Sequence, residues 1–149
     1  MNISFCFYCL NSGLHPLVQK VEKGIQTIKA KRNIHSKTWF RDLTELNAIV
    51  EYTVDENGQV VSGIVEESYL SGIVIEKLNS LYQYEYEHKS GFFDSQVDGT
   101  AYFKFTAVEK TTWSIFGISI TDTKNLSATI GINISNNKVN YFYTNRFWN

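Results

Sequence analysis

Residues 81–89 read LYQYEYEHK, and their alternation decides how the rest of the chain is interpreted. Tyr82, Tyr84, Tyr86 and His88 take every second position, and polar or charged residues fill the gaps. A period of two is typical of a β-strand with one face in the protein and the other in water. The polar face is the wet one, so the tyrosines must cover something on the other side.

Three interpretations of the tyrosine face follow from its chemistry. We expect the rings to pack in a core while their hydroxyls reach water at its rim. They could instead line a ligand pocket inside a curved sheet, formed by Tyr82, Tyr84, Tyr86 and Trp113. The third interpretation is a protein-binding surface, because tyrosine is enriched among the residues that dominate binding energy.

Upstream, residues 51–65 read EYTVDENGQVVSGIV and contain Asn57-Gly58, the strongest short signal for a β-hairpin. If these two residues form the loop, the register pairs Val54 with Val61, Tyr52 with Gly63 and Val50 with Val65. Tyr52 can then cover the bare Gly63. The turn and the alternation agree, which supports a hairpin here.

Further upstream, residues 14–31 carry apolar side chains at helical spacing. The stripe consists of Leu14, Leu17, Val18, Val21, Ile25 and Ile28. Pro16 suits the first turn of a helix, where its missing N–H is not needed. The spacing predicts the main helix over 14–31, with this stripe against the core, and a shorter helical turn over 39–45.

Downstream of residue 90, the pattern predicts a loop to Asp98-Gly99 and then four more strands. Their sequences are TAYFKFTAV (100–108), TWSIFGISI (112–120), LSATIGINIS (126–135) and KVNYFYTNRFW (138–148). Asn136-Asn137 is expected to turn tightly between the last two. Residues 3–10 read as a further short strand, while residues 69–81 fit a strand and a helix alike.

The 149 residues are therefore expected to form a single globular domain, residues 1–149. Its class is α+β, mainly antiparallel β, with one amphipathic N-terminal helix packed on a strongly curved meander of about seven to nine strands. A partly closed barrel is the alternative form, since both arrangements remove exposed strand edges. No motif identifies a family.

Charge is unevenly distributed along the chain, although the total is −1. Residues 16–41 carry a net +6, residues 42–98 a net −10 and residues 99–149 a net +3. The acidic middle would repel phosphate, so nucleic-acid binding is not expected. No apolar stretch is long enough for a membrane helix and no signal peptide is recognisable, so the cytoplasm is the default location.

The candidate chemical motifs are weak. Cys6 and Cys9 lack further ligands for a zinc site and would point to opposite faces of a strand, so we expect buried thiols and no metal. The histidines, His15, His35 and His88, have no partner at a spacing that indicates a nucleophilic triad. No phosphate-binding glycine loop is present, and no cofactor is expected.

The sequence thus favours a non-enzymatic protein-binding module. Its acidic middle would dock on a basic protein, for example as an inhibitor or immunity protein that neutralises a nuclease-like toxin. The expected partner-binding residues are Glu51, Glu66, Glu85 and Glu87. The first alternative is a small-molecule-binding protein or simple enzyme with an aromatic pocket between curved sheet and helix. The second is a structural subunit whose edge strand or aromatic tail pairs with copies of itself.

Overall fold

A computed structural model describes residues 21–33, 44–72, 75–76 and 81–144 of the chain. These residues form seven strands, which are β1 (Gly24–Asn33), β2 (Glu45–Val54), β3 (Val60–Ser71), β4 (Gln83–Val97), β5 (Thr100–Ile115), β6 (Ile118–Ser135) and β7 (Lys138–Tyr143). They build two antiparallel sheets with the orders β1-β2-β3 and β4-β5-β6-β7. Each sheet is a meander, and together they do not close into a barrel.

The core lies between the two sheets and contains one face of each. Alternation along β2 turns its even-numbered side chains inward, and alternation along β5 does the same for its odd-numbered ones. The largest fully buried side chains are Phe103, Phe105, Leu46, Ile130, Ile132, Val50, Val54, Val60, Val65 and Asn47. The expectation of a mainly antiparallel β protein with seven to nine strands is therefore confirmed.

The predicted helix over 14–31 is wrong for residues 24–31, which belong to β1. This strand pairs with β2 along its whole length, and Ala30 is completely buried opposite Ala48. In a strand, residues three apart lie on opposite faces, so Ile28 is half-buried while Ile25 is 69% exposed. Pairing with β2 outweighs the helical spacing, because a ladder of backbone hydrogen bonds is available there. Residues 14–20 lie outside the described residues.

The hairpin between β2 and β3 forms at the predicted place with one correction. Tyr52 pairs with Gly63 and Val50 with Val65, as expected. Val54 pairs with Val60 rather than Val61, since the loop is longer than two residues. The Gly58 amide donates to the Asp55 carbonyl at 3.1 Å, and the Asp55 amide donates to the Gln59 carbonyl at 2.9 Å.

Two strand boundaries in the second half also differ from the prediction. β4 continues through residue 90 to Val97 with register shifts after His88 and Phe93. The stretch predicted as a single strand over 112–120 contains a turn, because Phe116 and Gly117 both have positive φ. This turn joins β5 to β6, so that the four predicted strands are three. Asn136-Asn137 does form the tight turn between β6 and β7.

Several expectations fall outside the described residues or reach them only in part. The predicted strand over 3–10, both cysteines and residues 39–43 of the predicted helical turn lie outside the described residues. In the ambiguous segment, residues 69–71 belong to β3 and residues 75–76 form a helical turn. Among the described residues, no helix is long and apolar enough to cross a membrane.

Candidate functional site

A groove opens where the two sheets part from each other. β3 is an edge strand of the three-stranded sheet, and β4 is an edge strand of the four-stranded sheet. Near Gly91 the two strands lie so close that a Cβ atom there would collide with Val65. Farther along they separate and leave a groove of about 410 Å³. Its described lining residues are Glu67, Ser68, Tyr69, Leu70, Ile75, Tyr84, Tyr86, Glu87 and His88.

A hydrogen-bonded cluster around Ser68 lies beside the groove. The side chain of Ser68 is 3% exposed, and its Oγ lies 2.8 Å from Tyr86 Oη and 2.9 Å from His88 Nδ1. A serine beside a histidine is the pair that nucleophilic catalysis uses. Here the serine oxygen is buried and shared with a phenol. The cluster therefore satisfies buried polar groups and fixes the tyrosine ring.

A second polar contact holds Tyr84. Its hydroxyl donates to Glu109 Oε1 at 2.9 Å, and the other oxygen of this carboxylate is buried with no partner among the described residues. Burial raises the pKa of Tyr84 well above its usual range, and the nearby Glu109 charge adds to this effect. Burial likewise raises the pKa of Tyr86 to about 12. Both tyrosines are neutral hydrogen-bonding groups at physiological pH.

The groove brings together only part of the predicted aromatic pocket. Tyr84 and Tyr86 line it and also pack against the core, so the tyrosine face serves as core wall and groove wall at once. Tyr82 is 43% exposed and is not among the lining residues. Trp113 lies on β5 opposite Ile120, near the end of the β5–β6 hairpin.

The four glutamates predicted to bind a partner lie on two different sheets. Glu51 is on β2, with Thr27 of β1 as its cross-strand neighbour, and Glu66 is exposed at a register shift in β3. Glu85 and Glu87 lie on the outer face of β4, where Glu85 pairs with Lys110. The Lys89 ammonium lies 2.6 Å from Glu87 and holds the pKa of that carboxyl below its usual value. Of these four glutamates, only Glu87 borders the groove.

Sequence reasoning missed Ser68, Tyr69 and Glu109. Glu109 had a detectable signal, because it continues the odd-numbered inward series of Phe103, Phe105 and Ala107 on β5. Ser68 had none, since the register shift beside Ile49 and Val50 reverses which β3 residues face inward. The groove itself depends on where two edge strands separate, which no local pattern encodes.

Comparison with known proteins adds no assignment: the chain matches no family model, no curated protein and no solved structure. Within the described residues, no group of three or more His, Cys, Asp or Glu side chains could hold a metal ion.

Proposed function

We propose that this chain is a binding protein that receives a cationic group of a basic protein partner in the groove between β3 and β4. The observation that carries the proposal is the composition of the groove wall. Three tyrosines line it, Glu67 and Glu87 border it, and no lysine or arginine is among its described lining residues. Aromatic faces together with carboxylates are the chemistry that attracts ammonium and guanidinium groups.

The chain's own contacts support this chemistry. The Lys29 ammonium lies 5.2 Å from the centre of the Tyr69 ring, within the range of a cation–π interaction. The Lys89 ammonium pairs with Glu87 at the border of the groove. A ring and a carboxylate that already attract the protein's own cations are suited to attract those of a partner.

A basic protein is also the partner expected from the acidic middle of the sequence. Charges at the rim of an interface mainly steer association, and buried groups mainly govern dissociation. Glu85 and Glu87 would therefore mainly steer association, while Tyr84 and Tyr86 would mainly govern dissociation. A nuclease-like toxin is a partner with this chemistry, and the immunity role expected from the sequence stays a proposal.

The test is a calorimetric titration with a lysine-rich peptide. A glutamate-rich peptide of equal length, which carries the opposite charge, is the control. We expect only the lysine-rich peptide to bind, with an affinity that falls as salt is raised. Replacing Glu67 and Glu87 with Gln should weaken binding, whereas Glu51→Gln, on β2, should not. Equal affinity for both peptides, or equal loss from both sets of variants, would contradict the proposal.

A second pair of variants tests whether the protein's own Lys89 competes with the peptide for Glu87. Lys89→Gln releases Glu87 from its ion pair and should tighten binding of the lysine-rich peptide. Lys104→Gln releases Asp94, from which it lies 3.2 Å, and should have no effect because neither residue lines the groove. Tetramethylammonium ion, added as a free competitor, separates two modes of binding. Displacement of the peptide indicates a cation seated on the aromatic rings, and its absence indicates contacts with the peptide outside the groove.

Reversal of Glu85 and Glu87 to Lys tests the steering charges directly. The fold should be nearly unaffected, since exposed charges contribute little to stability. Association with a basic partner captured from source cells should slow at low salt, and the loss should shrink at high salt. An unchanged association rate would restrict the interface to the tyrosine groove.

A further inference from the structure

The loop between β2 and β3 contains a chemically labile pair that plays no part in the groove. Asn57 is the only asparagine in the sequence that precedes a glycine. An asparagine side chain can react with the backbone nitrogen of the next residue, and a glycine leaves that nitrogen unshielded because it has no Cβ. A Cβ atom on Gly58 would meet no atom within 4 Å, so no described residue obstructs the approach from that side. The pair is therefore a candidate site of covalent modification.

The loop is exposed, and one residue, Asp55, holds its backbone. The side chains of Glu56, Asn57 and Gln59 face water. Asp55 Oδ1 accepts hydrogen bonds from the amides of Asn57 and Gln59, both at 2.9 Å. The Asp55 carbonyl accepts another from the Gly58 amide at 3.1 Å. The nitrogen that would attack is thus engaged in a hydrogen bond, and the reaction requires the loop to open.

Opening of this loop is a local event, because the contact that ties its tip to the neighbouring segment is weak. The Lys23 ammonium pairs with Glu56 at 2.7 Å, and both side chains are largely exposed. Exposed ion pairs contribute little to stability. Val54 and Val60, which pair at the base of the loop, are by contrast fully buried. The strands can therefore stay paired while the loop between them opens.

We propose that Asn57 is a deamidation site of this protein and that Asp55 controls the rate. When the loop opens, the Gly58 nitrogen attacks Cγ of Asn57. The new C–N bond closes a cyclic imide, and the side-chain nitrogen leaves as ammonia with the amide proton of Gly58. Water then opens the imide at either carbonyl and gives aspartate or isoaspartate. Water is the co-reactant, and nothing is oxidised or reduced.

Either product changes the loop. Aspartate at this position adds a third carboxylate beside Asp55 and Glu56. Isoaspartate routes the main chain through the former side chain and lengthens it by one atom, so the amides that follow no longer match the acceptors of Asp55. The groove lies at the other end of β3, where it is lined by residues 67–70. The modification should therefore loosen the β2–β3 hairpin and leave the groove unchanged.

Ageing of the full chain in warm, mildly alkaline buffer tests the proposal, with tandem mass spectrometry of digests to locate the change. We expect Asn57 to convert first, to a mixture of aspartate and isoaspartate. Asn136 is the internal control, because it is exposed in a turn of the same chain but is followed by Asn137, whose side chain shields the nitrogen. Conversion of Asn136 at the same rate, or an Asn57 that stays intact, overturns the proposal.

Variants at Asp55 test its control of the rate. Asp55→Ala removes the acceptor of two hydrogen bonds and should speed conversion about fivefold or more, because the loop opens more often. Asp55→Asn removes the same charge but keeps an acceptor oxygen, so its rate should stay near that of the wild type. Equal acceleration in both variants would assign the effect to charge and overturn the role of the hydrogen bonds.

Ile130→Ala separates local opening from global unfolding. Ile130 is fully buried in the other sheet, so this substitution destabilises the whole fold without touching the loop. The rate of conversion at Asn57 should then be the same as in the wild type. An acceleration that matches the loss of global stability would show that the reaction needs complete unfolding, and local control by Asp55 would be wrong.

Discussion

The two halves of β6 have the same alternation of side chains and both pair with β5, yet one half is exposed and the other is buried. Ile118 and Ile120 in the outer half, residues 118–125, are 66% and 41% exposed, whereas Ile130 and Ile132 in the inner half, residues 126–135, are completely buried. All four side chains lie on the same face of the sheet. The difference arises because the three-stranded sheet covers only the inner half. An alternating pattern therefore reports which face is apolar but not what, if anything, covers it.

This contrast between the halves predicts a large difference between matched substitutions. Ile130→Ala removes a fully buried side chain and should lower the free energy of unfolding by about 2–5 kcal/mol. Ile118→Ala makes the same change on the same strand and face, and should cost less than about 1 kcal/mol in the monomer. A denaturant titration of each variant measures both values. Similar costs at the two positions would show that the outer half is covered in solution.

A second contrast concerns glycines in the two regions. Gly63 has a φ of 153°, and a methyl group on it would lie 2.8 Å from Phe103 Cε1 in the opposing sheet and also against the β2 backbone. We expect Gly63→Ala to cost about 2–4 kcal/mol, because the clash adds to an unfavourable backbone conformation.

Gly117, at the end of the β5–β6 hairpin, is the matched control. It also has a positive φ, but a Cβ there would meet no atom within 4 Å. Gly117→Ala should therefore lower the free energy of unfolding by only about 1 kcal/mol, which is the cost of placing alanine in a left-handed backbone conformation. Unfolding midpoints in urea compare the two. An equal loss at both positions would mean that the sheets are not packed closely at Gly63.

Alkaline pH should act on the covered region and not on the hairpin end, since residues 111–121 carry no titratable side chain. The folded-state pKa of Tyr86 is raised above its ordinary value of 10.0 to about 12, because burial disfavours the phenolate. The folded protein thus holds this proton more tightly than the unfolded chain does. The resulting stabilisation is fully present below pH 10 and is lost as pH rises from 10 to about 12.

Unfolding titrations between neutral pH and pH 12 should show this loss, and Tyr86→Phe should make it smaller. Tyr84→Phe should act in the same direction, since burial also raises the pKa of Tyr84. An alkaline profile that neither variant changes would indicate that both phenols reach water in the folded state.

The sequence predicted the elements whose signals are local. Alternation identified β2, β3 and the start of β4, and Asn136-Asn137 identified a turn because both residues adopt a left-handed backbone readily. Residues 24–31 were misassigned because Ile25 and Ile28 fit a helical stripe, although β2 offers the segment a partner strand. Of the candidate site, Tyr84 and Tyr86 were found from their alternation. Glu109 could have been assigned from the odd-numbered inward series of β5. Ser68 could not, since it reaches Tyr86 and His88 only after the two sheets pack.

The smallest expected effect lies at the tip of the hairpin that continues the outer half of β6. Three two-residue turns of the four-stranded sheet have positive φ at both residues, and two of them begin with Asp98 and Asn136, which suit that conformation. The third begins with Phe116, whose φ is 50° and whose ring is fully exposed. Phe116→Asn should stabilise the monomer by about 0.5 kcal/mol, because asparagine adopts this backbone with less strain.

Asn136→Phe makes the reverse change in the sister turn between β6 and β7, and it should destabilise the monomer by a similar amount. Thermal unfolding measures the effect of both substitutions. A loss of monomer stability in Phe116→Asn would instead show that the ring packs within its own chain.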